Sequence, residues 1–150
     1  LIEDCQTVDF YKFYESRESF ALFGNFFKNK LGMLDKFVSY WDRVAERFAN
    51  NDFVIGYDPY NEPFPGNPAS DLFNMLPGHF DDTYLAPLYE QLFAKYQSHD
   101  TTKQMWFEPV PLPDEVGFAG GYVYNVGFSV PPGGEIGSDK HVLNDHTYCC

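Results

Sequence analysis

The run "VIGYDPYNEPFPGN", Val54 to Asn67, ends an apolar stretch by setting a carboxyl group beside an amide, Glu62 after Asn61, and then locks the turn with prolines. A carboxylate at the mouth of a sheet is costly unless it is solvated, paired or used. With Tyr60, Pro63 and Phe64 as neighbours, such a group is expected to be poorly solvated. A poorly solvated carboxyl group holds its proton longer, which is what a general acid needs near neutral pH. Asn61 beside it is placed to hold a substrate hydroxyl. On the pattern alone, an exposed loop Glu with Asn61 capping a turn accounts for the same residues and is the simpler reading. Two further runs share the design. "KQMWFEP" stops at Glu108-Pro109, and "HVLND" leads into His146-Thr147-Tyr148.

These polar ends need elements to carry them. Leu34, Phe37, Val38, Trp41, Val44, Ala45 and Phe48 recur at the steps of one helical face, and "ANND" stops that helix. A shorter helix is expected from Ser19 to Lys30, broken at Gly32, after a loop over Leu1 to Ser16 with one helical turn. Tyr84 to Gln97 predicts a further amphipathic helix, with Leu85, Leu88, Leu92 and Phe93 inside and Asp82 or Thr83 as its cap. Phe53 to Tyr57, Lys103 to Pro109 and His141 to Asp145 are the expected strands; the first is continuously apolar, as where both faces are covered. Asp58 in that run is read as meeting a backbone donor or a neighbouring Arg or Lys, not as catalytic. Strand–helix–strand alternation implies parallel pairing with right-handed crossovers. Parallel α/β architectures build their sites at the C-terminal ends of strands, where these polar residues fall.

Composition narrows the partners. Ten Lys and Arg against 22 Asp and Glu give a formal net charge of -12. Nucleic acid and electrostatic docking on anionic lipid are disfavoured, because both need a basic face. Aromatic residues make up 19 % of the chain, which marks a folding sequence and would also suit sugar stacking, although most rings must be core. Cys5, Cys149 and Cys150 form no disulfide framework. No His/Cys/Asp/Glu cluster has metal-ligand spacing, so neither a metal nor another cofactor is expected. There is no apolar run of about 20 residues to span a membrane. "PPGGEIG", Pro131 to Gly137, lacks a Walker lysine and is read as a turn. His79 and His99 are expected in solvent and His141 in a structural role.

The stretch "GYDPYNEPFPGN" resembles the acid/base strand of the endoglycoceramidases within glycoside hydrolase family 5, whose fourth barrel strand ends in Asn-Glu-Pro followed by an aromatic residue, Pro and Gly. "SYWDRVAERFANNDFVIGYD" is similar to the helix leading into that strand, "YQSHDTTKQMWFEP" to the junction before strand five, and "HVLNDHTYCC" to the end of strand six with its His-x-Tyr. The resemblance runs from about residue 20 to the end. It implies the central segment of a (β/α)8 TIM barrel, an α/β fold of parallel strands and amphipathic helices.

The resemblance also implies roles. Glu62 corresponds to the general acid/base, Asn61 to the residue that bonds the sugar 2-hydroxyl, His146 to a substrate-side polar group, and Tyr148 to the phenol that holds the nucleophile. The family retains anomeric configuration through a covalent glycosyl-enzyme, which calls for two carboxyl groups about 5 Å apart. Its nucleophile Glu comes from strand seven, which this chain does not reach. A full barrel needs about 250 residues, so residues 1–150 are expected to be an incomplete catalytic domain, inactive alone. Glu108, on the strand next to Glu62, is the alternative nucleophile, because adjacent strands lie about 4.8 Å apart; a polar contact near the site is the favoured reading.

The implied substrate is a glycosphingolipid cut between oligosaccharide and ceramide, with transient membrane or micelle contact, in a secreted or lysosomal/digestive setting. The long segment Val110 to Lys140, with Phe118, Tyr122, Tyr124 and Phe128, is expected either to wall the ceramide side or to pack on the rim. The rival readings are another family 5 β-glycosidase, acting on glucosylceramide, steryl glucoside or β-glucan, and a non-catalytic carbohydrate- or lipid-binding module.

Overall fold

The computed structural model describes residues 11–14, 16–67, 70–76, 78–111 and 127–146. Among the described residues, four α-helices and three strands follow the order expected from the sequence: helices, strand, helix, strand, long connection, strand. Helix α1 is the single turn Tyr11–Tyr14, and α2 runs from Arg17 to Phe27. Ser16 caps α2 by accepting from the Ser19 N–H at 3.2 Å. A 3-10 turn over Lys30–Gly32 separates it from α3, Met33–Phe48, with Asn29, Leu31 and Gly32 all in the left-handed region. Here Asn29, not a residue at the helix start, supplies the cap. Its Oδ1 accepts from the Leu34 and Asp35 N–H groups at 3.0 and 3.2 Å.

The inward face of α3 follows the predicted stripe, with Val38 and Ala45 buried and Leu34, Phe37, Trp41 and Val44 packed beside them. Phe48 departs from it: it is exposed at the last turn, where the Arg47 guanidinium lies 5.9 Å from its ring.

The first strand is shorter than its apolar run suggests. Only Gly56–Tyr57, β1, pairs with β2, Gln104–Phe107. Phe53 is 98 % exposed and Ile55 is also exposed, because the chain is still completing a turn in which the Val54 N–H donates to Asn51 C=O at 3.0 Å. The continuously buried strand expected over Phe53 to Tyr57 is therefore corrected to a two-residue strand. Gly56 is needed where pairing starts, since a Cβ there would sit 2.5 Å from the Gln104 carbonyl oxygen.

Strand β3, His141–Leu143, completes a sheet ordered β1-β2-β3, all parallel. Its register sets Met105 against His141 and Phe107 against Leu143. Crossover between β1 and β2 is made by α4, Ala86–His99. Leu88, Tyr89, Leu92 and Tyr96 form its buried stripe against the sheet and α3. Each such aliphatic side chain contributes about 1.5–3 kcal/mol by leaving water.

Neither Asp82 nor Thr83 caps α4. The helix is entered through a π-helical turn, Asp81–Leu85, whose Asp81 is buried and accepts from the Val110 and Gly127 N–H groups at 2.9 and 3.0 Å. Asp81 thereby ties the end of β2 to the return segment. On the same side, Phe128 packs against Tyr89 and Phe107, so this ring serves the core rather than an apolar wall. Phe118, Tyr122 and Tyr124 lie outside the described residues.

Two of the histidines read as solvated behave differently. His79 is exposed, beside Phe73. His99 is instead bound, its Nε2 2.9 Å from Asp42 Oδ1, joining α4 to α3. The Asp42 carboxyl is held below its usual range by His99 first, with Lys95 adding to it. His141 is structural as expected, with Nε2 2.9 Å from the Pro132 C=O and Nδ1 2.9 Å from Ser138 Oγ. Residues 131–137 form turns, as read from "PPGGEIG". No helix among the described residues is long and apolar enough to cross a membrane.

Candidate active site

The three strands point the same way, so their C-terminal ends meet at one edge. Asp58 follows β1, Glu108 follows β2, and Asn144 and His146 follow β3. Glu62 closes the turn after Asp58. Its backbone sits at φ +46°, in the left-handed region that non-glycine residues seldom occupy. Such a conformation costs about 1–3 kcal/mol and persists only where the surroundings over-determine it.

The surroundings do so from both sides. Before Glu62, Tyr60 packs among Phe26, Phe27 and Phe37. After it, Pro63, Phe64, Pro65 and Gly66 are all buried. Phe64 stacks on Phe20 with centroids 5.8 Å apart and meets Phe23 at 5.3 Å. Gly66, at φ +84°, lies so close to α2 that a Cβ would stand 3.1 Å from the Gly24 nitrogen. The aromatic and proline residues around Glu62 thus anchor its turn to the helices. Asn61 is exposed beside it.

The Glu62 carboxyl turns toward His146, whose Nδ1 lies 2.9 Å from Glu62 Oε1. Both side chains keep about a quarter of their surface in solvent, so the pair stands at the rim rather than in bulk water. Across the imidazole, Nε2 is 3.4 Å from Glu108 Oε1. Glu108 is buried, and its Oε2 accepts the Glu62 backbone N–H at 2.6 Å. Asn144 Nδ2 donates to both Glu108 Oε1, at 3.1 Å, and Asp58 Oδ2, at 2.8 Å. Beneath them the Tyr89 hydroxyl donates to the Glu108 C=O at 3.1 Å and accepts its N–H at 3.2 Å.

The electrostatics follow from this crowding. Burial pushes the Glu108 carboxyl up, and the charge of Asp58 adds to it; the Glu62 N–H and His146 oppose. The His146 imidazole is held above its ordinary range, first by its bond to Glu62 and then by the charges of Glu108, Glu62 and Asp58. A cation is therefore favoured between two acids.

The fold and this cluster invite comparison with known proteins. No protein-family model matches the chain. It is 32 % identical over 146 residues to an endoglycoceramidase of Cyanea nozakii, and 30 % identical over 146 residues to one of Hydra vulgaris. Those alignments take in 97 % of this chain but 27 % and 26 % of the relatives. The chain is endoglycoceramidase-like. It spans about a quarter of the length of the curated relatives it matches.

Solved chains of endo-glycoceramidase II from Rhodococcus sp. share its fold. The lactosyl-enzyme intermediate gives a TM-score of 0.73 at 21 % identity, covering 93 % of this chain and 30 % of that one. The ganglioside GM3 complex gives 0.71 at 22 % identity, over 93 % and 29 %. The expected α/β class, a partial set of parallel strands with amphipathic helices, is the fold of this endoglycoceramidase-like chain.

Three residues singled out from the sequence, Glu62, Glu108 and His146, converge in space, with Asn61 alongside. Tyr148 and the three cysteines lie outside the described residues. Sequence reasoning passed over Asn144 and expected Asp58 to meet a backbone donor or a neighbouring Arg or Lys, whereas it accepts from Asn144 Nδ2. The available signal was register: Asn144 is the first residue beyond β3 and its N–H donates to Phe107 C=O at 2.9 Å, level with the end of β2. Nothing local foretold that one amide would bridge carboxylates from β1 and β2.

Proposed function

We propose that this chain is the acid/base-bearing segment of a longer retaining glycoside hydrolase that cuts the β-linkage between oligosaccharide and ceramide. The single observation that carries the reading is Glu62: a carboxyl group beyond the end of β1, about three-quarters withdrawn from solvent, on a strained turn, with an imidazole 2.9 Å away. In this reading the whole protein is a (β/α)8 barrel of family 5, and residues 1–150 form part of its catalytic domain. Glu62 protonates the glycosidic oxygen as the ceramide departs and then takes a proton from the attacking water. His146 holds the Glu62 carboxyl toward the cleft. Asn61, exposed beside it, bonds the sugar 2-hydroxyl, and Tyr148 orients a nucleophilic Glu supplied from beyond this chain. No cofactor enters the reaction.

The glycolipid substrate is supported by the endoglycoceramidase relatives and by the Rhodococcus protein, solved with ganglioside GM3 and as a lactosyl-enzyme intermediate. Such a substrate brings transient membrane or micelle contact, and places the enzyme outside the cell or in a digestive compartment.

The test uses the full-length enzyme with Glu62→Ala. Cleavage of a fluorescent ganglioside falls by about 10²–10⁴, the range expected for loss of an acid/base group. Cleavage of a dinitrophenyl lactoside, whose leaving group needs no proton, still forms the glycosyl-enzyme. Azide then restores turnover and yields β-lactosyl azide. Unchanged ganglioside cleavage by Glu62→Ala, or failure of azide to restore turnover, overturns the assignment.

A further inference from the structure

We propose that Glu108 is a positioning residue for the general acid, fixing Glu62 through its backbone and His146 through its ring; this rests on the acid/base reading of Glu62. A single carboxylate reaches both. Oε2 accepts the Glu62 N–H at 2.6 Å, and Oε1 faces His146 Nε2 at 3.4 Å and Asn144 Nδ2 at 3.1 Å. The first contact holds the left-handed φ of Glu62, without which the turn relaxes and re-aims the side chain. The second fixes the far side of the imidazole whose near side meets Glu62 Oε1. Two otherwise separate parts of the acid's setting are therefore tied to one rigid point.

That point is rigid for a visible reason. Glu108 is 3 % exposed and its own backbone is clamped at both N–H and C=O by the Tyr89 hydroxyl from α4. The groups facing it are known on every side: Asp58 from the end of β1, Glu62 from the turn behind it, Tyr89 from α4, and Asn144 and His146 from beyond β3. Among the described residues, His146 is the cation within ion-pair reach. Asn144, donating to Asp58 and Glu108 together, lets the two acids stand side by side. Burial and Asp58 push the Glu108 carboxyl up, against the Glu62 N–H and His146. With its oxygens committed to these three donors, Glu108 presents itself as an acceptor scaffold rather than as the nucleophile.

The substitution Glu108→Gln keeps the shape but turns one acceptor into a donor, which must then oppose the Glu62 N–H or the Asn144–His146 side. In the full-length enzyme it is expected to lower kcat on ganglioside about 10²-fold, the scale set by misplacing a reacting group by about 1 Å. KM is expected to stay near the parent value. The decisive readout is the leaving group. A misaimed acid costs most where protonation is needed, so glycosyl-enzyme formation from dinitrophenyl lactoside, read as kcat/KM, is expected to change little, while its steady-state turnover, which still needs Glu62 as base, falls and recovers with azide. A loss from general destabilisation would fall equally on both substrates. Nuclear magnetic resonance of the His146 ring adds a second readout: without the Glu108 charge, its titration moves to lower pH. Glu108→Asp, which reaches one arm but not both, is expected to recover part of kcat.

Should Glu108→Gln not fold, Asn144→Ala serves, with a smaller loss of the same leaving-group pattern. Equal losses of kcat/KM on both substrates, or an unmoved His146 titration, overturn the inference while leaving the Glu62 assignment intact. Azide rescue of Glu108→Ala to α-lactosyl azide would make Glu108 the nucleophile and overturn it outright. Failure of the acid/base reading is seen separately, in Glu62→Ala.

Discussion

The two ends of the parallel sheet treat their carboxylates in opposite ways. At the N-terminal end, Asp100 closes α4 and accepts from the Thr102 N–H and hydroxyl and from the Asn50 N–H, at 2.9, 2.6 and 3.0 Å, with Lys103 Nζ 3.3 Å away. Its carboxyl is held well below the usual range, Thr102 contributing most. Lys103 in turn donates to Asn51 C=O at 2.9 Å, so the charge and the connecting backbone are satisfied together. At the C-terminal end, Glu108 is pushed up, and Asp58 and Glu62 stand near it with one imidazole and one amide to mediate. The first end is arranged for stability, because donors outnumber charges. The second crowds three acids, one of them on a strained turn, around one imidazole and one amide, an arrangement that stability alone would not favour and that proton transfer can use.

That contrast can be broken most sharply at Glu62. In the full-length enzyme, Glu62→Gln is expected to cost about 10²–10⁴ in kcat on ganglioside, while the thermal midpoint barely moves. Asp100→Asn is expected to do the reverse, lowering the thermal midpoint and leaving kcat intact. Kinetics and a melting curve on each variant check the pair, and a matching loss of activity in both would erase the distinction.

Next in size, Tyr89→Phe removes the hydroxyl that clamps the Glu108 backbone. Stranding a buried N–H and C=O is expected to cost about 1–3 kcal/mol by denaturant unfolding. A smaller fall in kcat should accompany it, since the scaffold under Glu62 loosens.

The smallest effects lie in pH dependence, and their signs differ between the ends. The folded pKa of Asp100 is below its ordinary 3.8, so its contribution is present above that value and is lost as pH falls through the folded pKa. The folded pKa of Glu108 is above its ordinary 4.5, so its contribution is present below that value and is lost as pH rises through the folded pKa. Stability curves should therefore flatten below about pH 4 in Asp100→Asn and above about pH 4.5 in Glu108→Gln. Unfolding midpoints across that range measure both.

Much of this layout was legible in the residues. The stripe Leu34 to Val44 and the residues Leu85, Leu88, Leu92 and Phe93 face inward because helical periodicity is a local property; Tyr89 and Tyr96, which join the second stripe, were not singled out. Parallel order followed from alternation. The ends of the first strand did not: Phe53 and Ile55 are apolar yet exposed, since pairing starts only where Gly56 lets β1 approach β2. Asp81 was not singled out, the cap being expected at Asp82 or Thr83, though it ties the Val110 and Gly127 backbones together. His99 was read as solvated because its partner Asp42 lies 57 residues away.

What the amino-acid order determined by itself is the set of parts: amphipathic helices, three short strands, and an acid or amide at each strand's end. Composition, periodicity and punctuation by Pro and Gly suffice for that, because each acts within a few residues. What the tertiary structure alone decided is which end groups face one another. The bond from the Glu62 N–H to Glu108 spans 46 residues and the contact of Glu62 with His146 spans 84. Such pairings depend on strand register and on the packing of Phe64 against α2, and no local sequence pattern encodes the sum of the two.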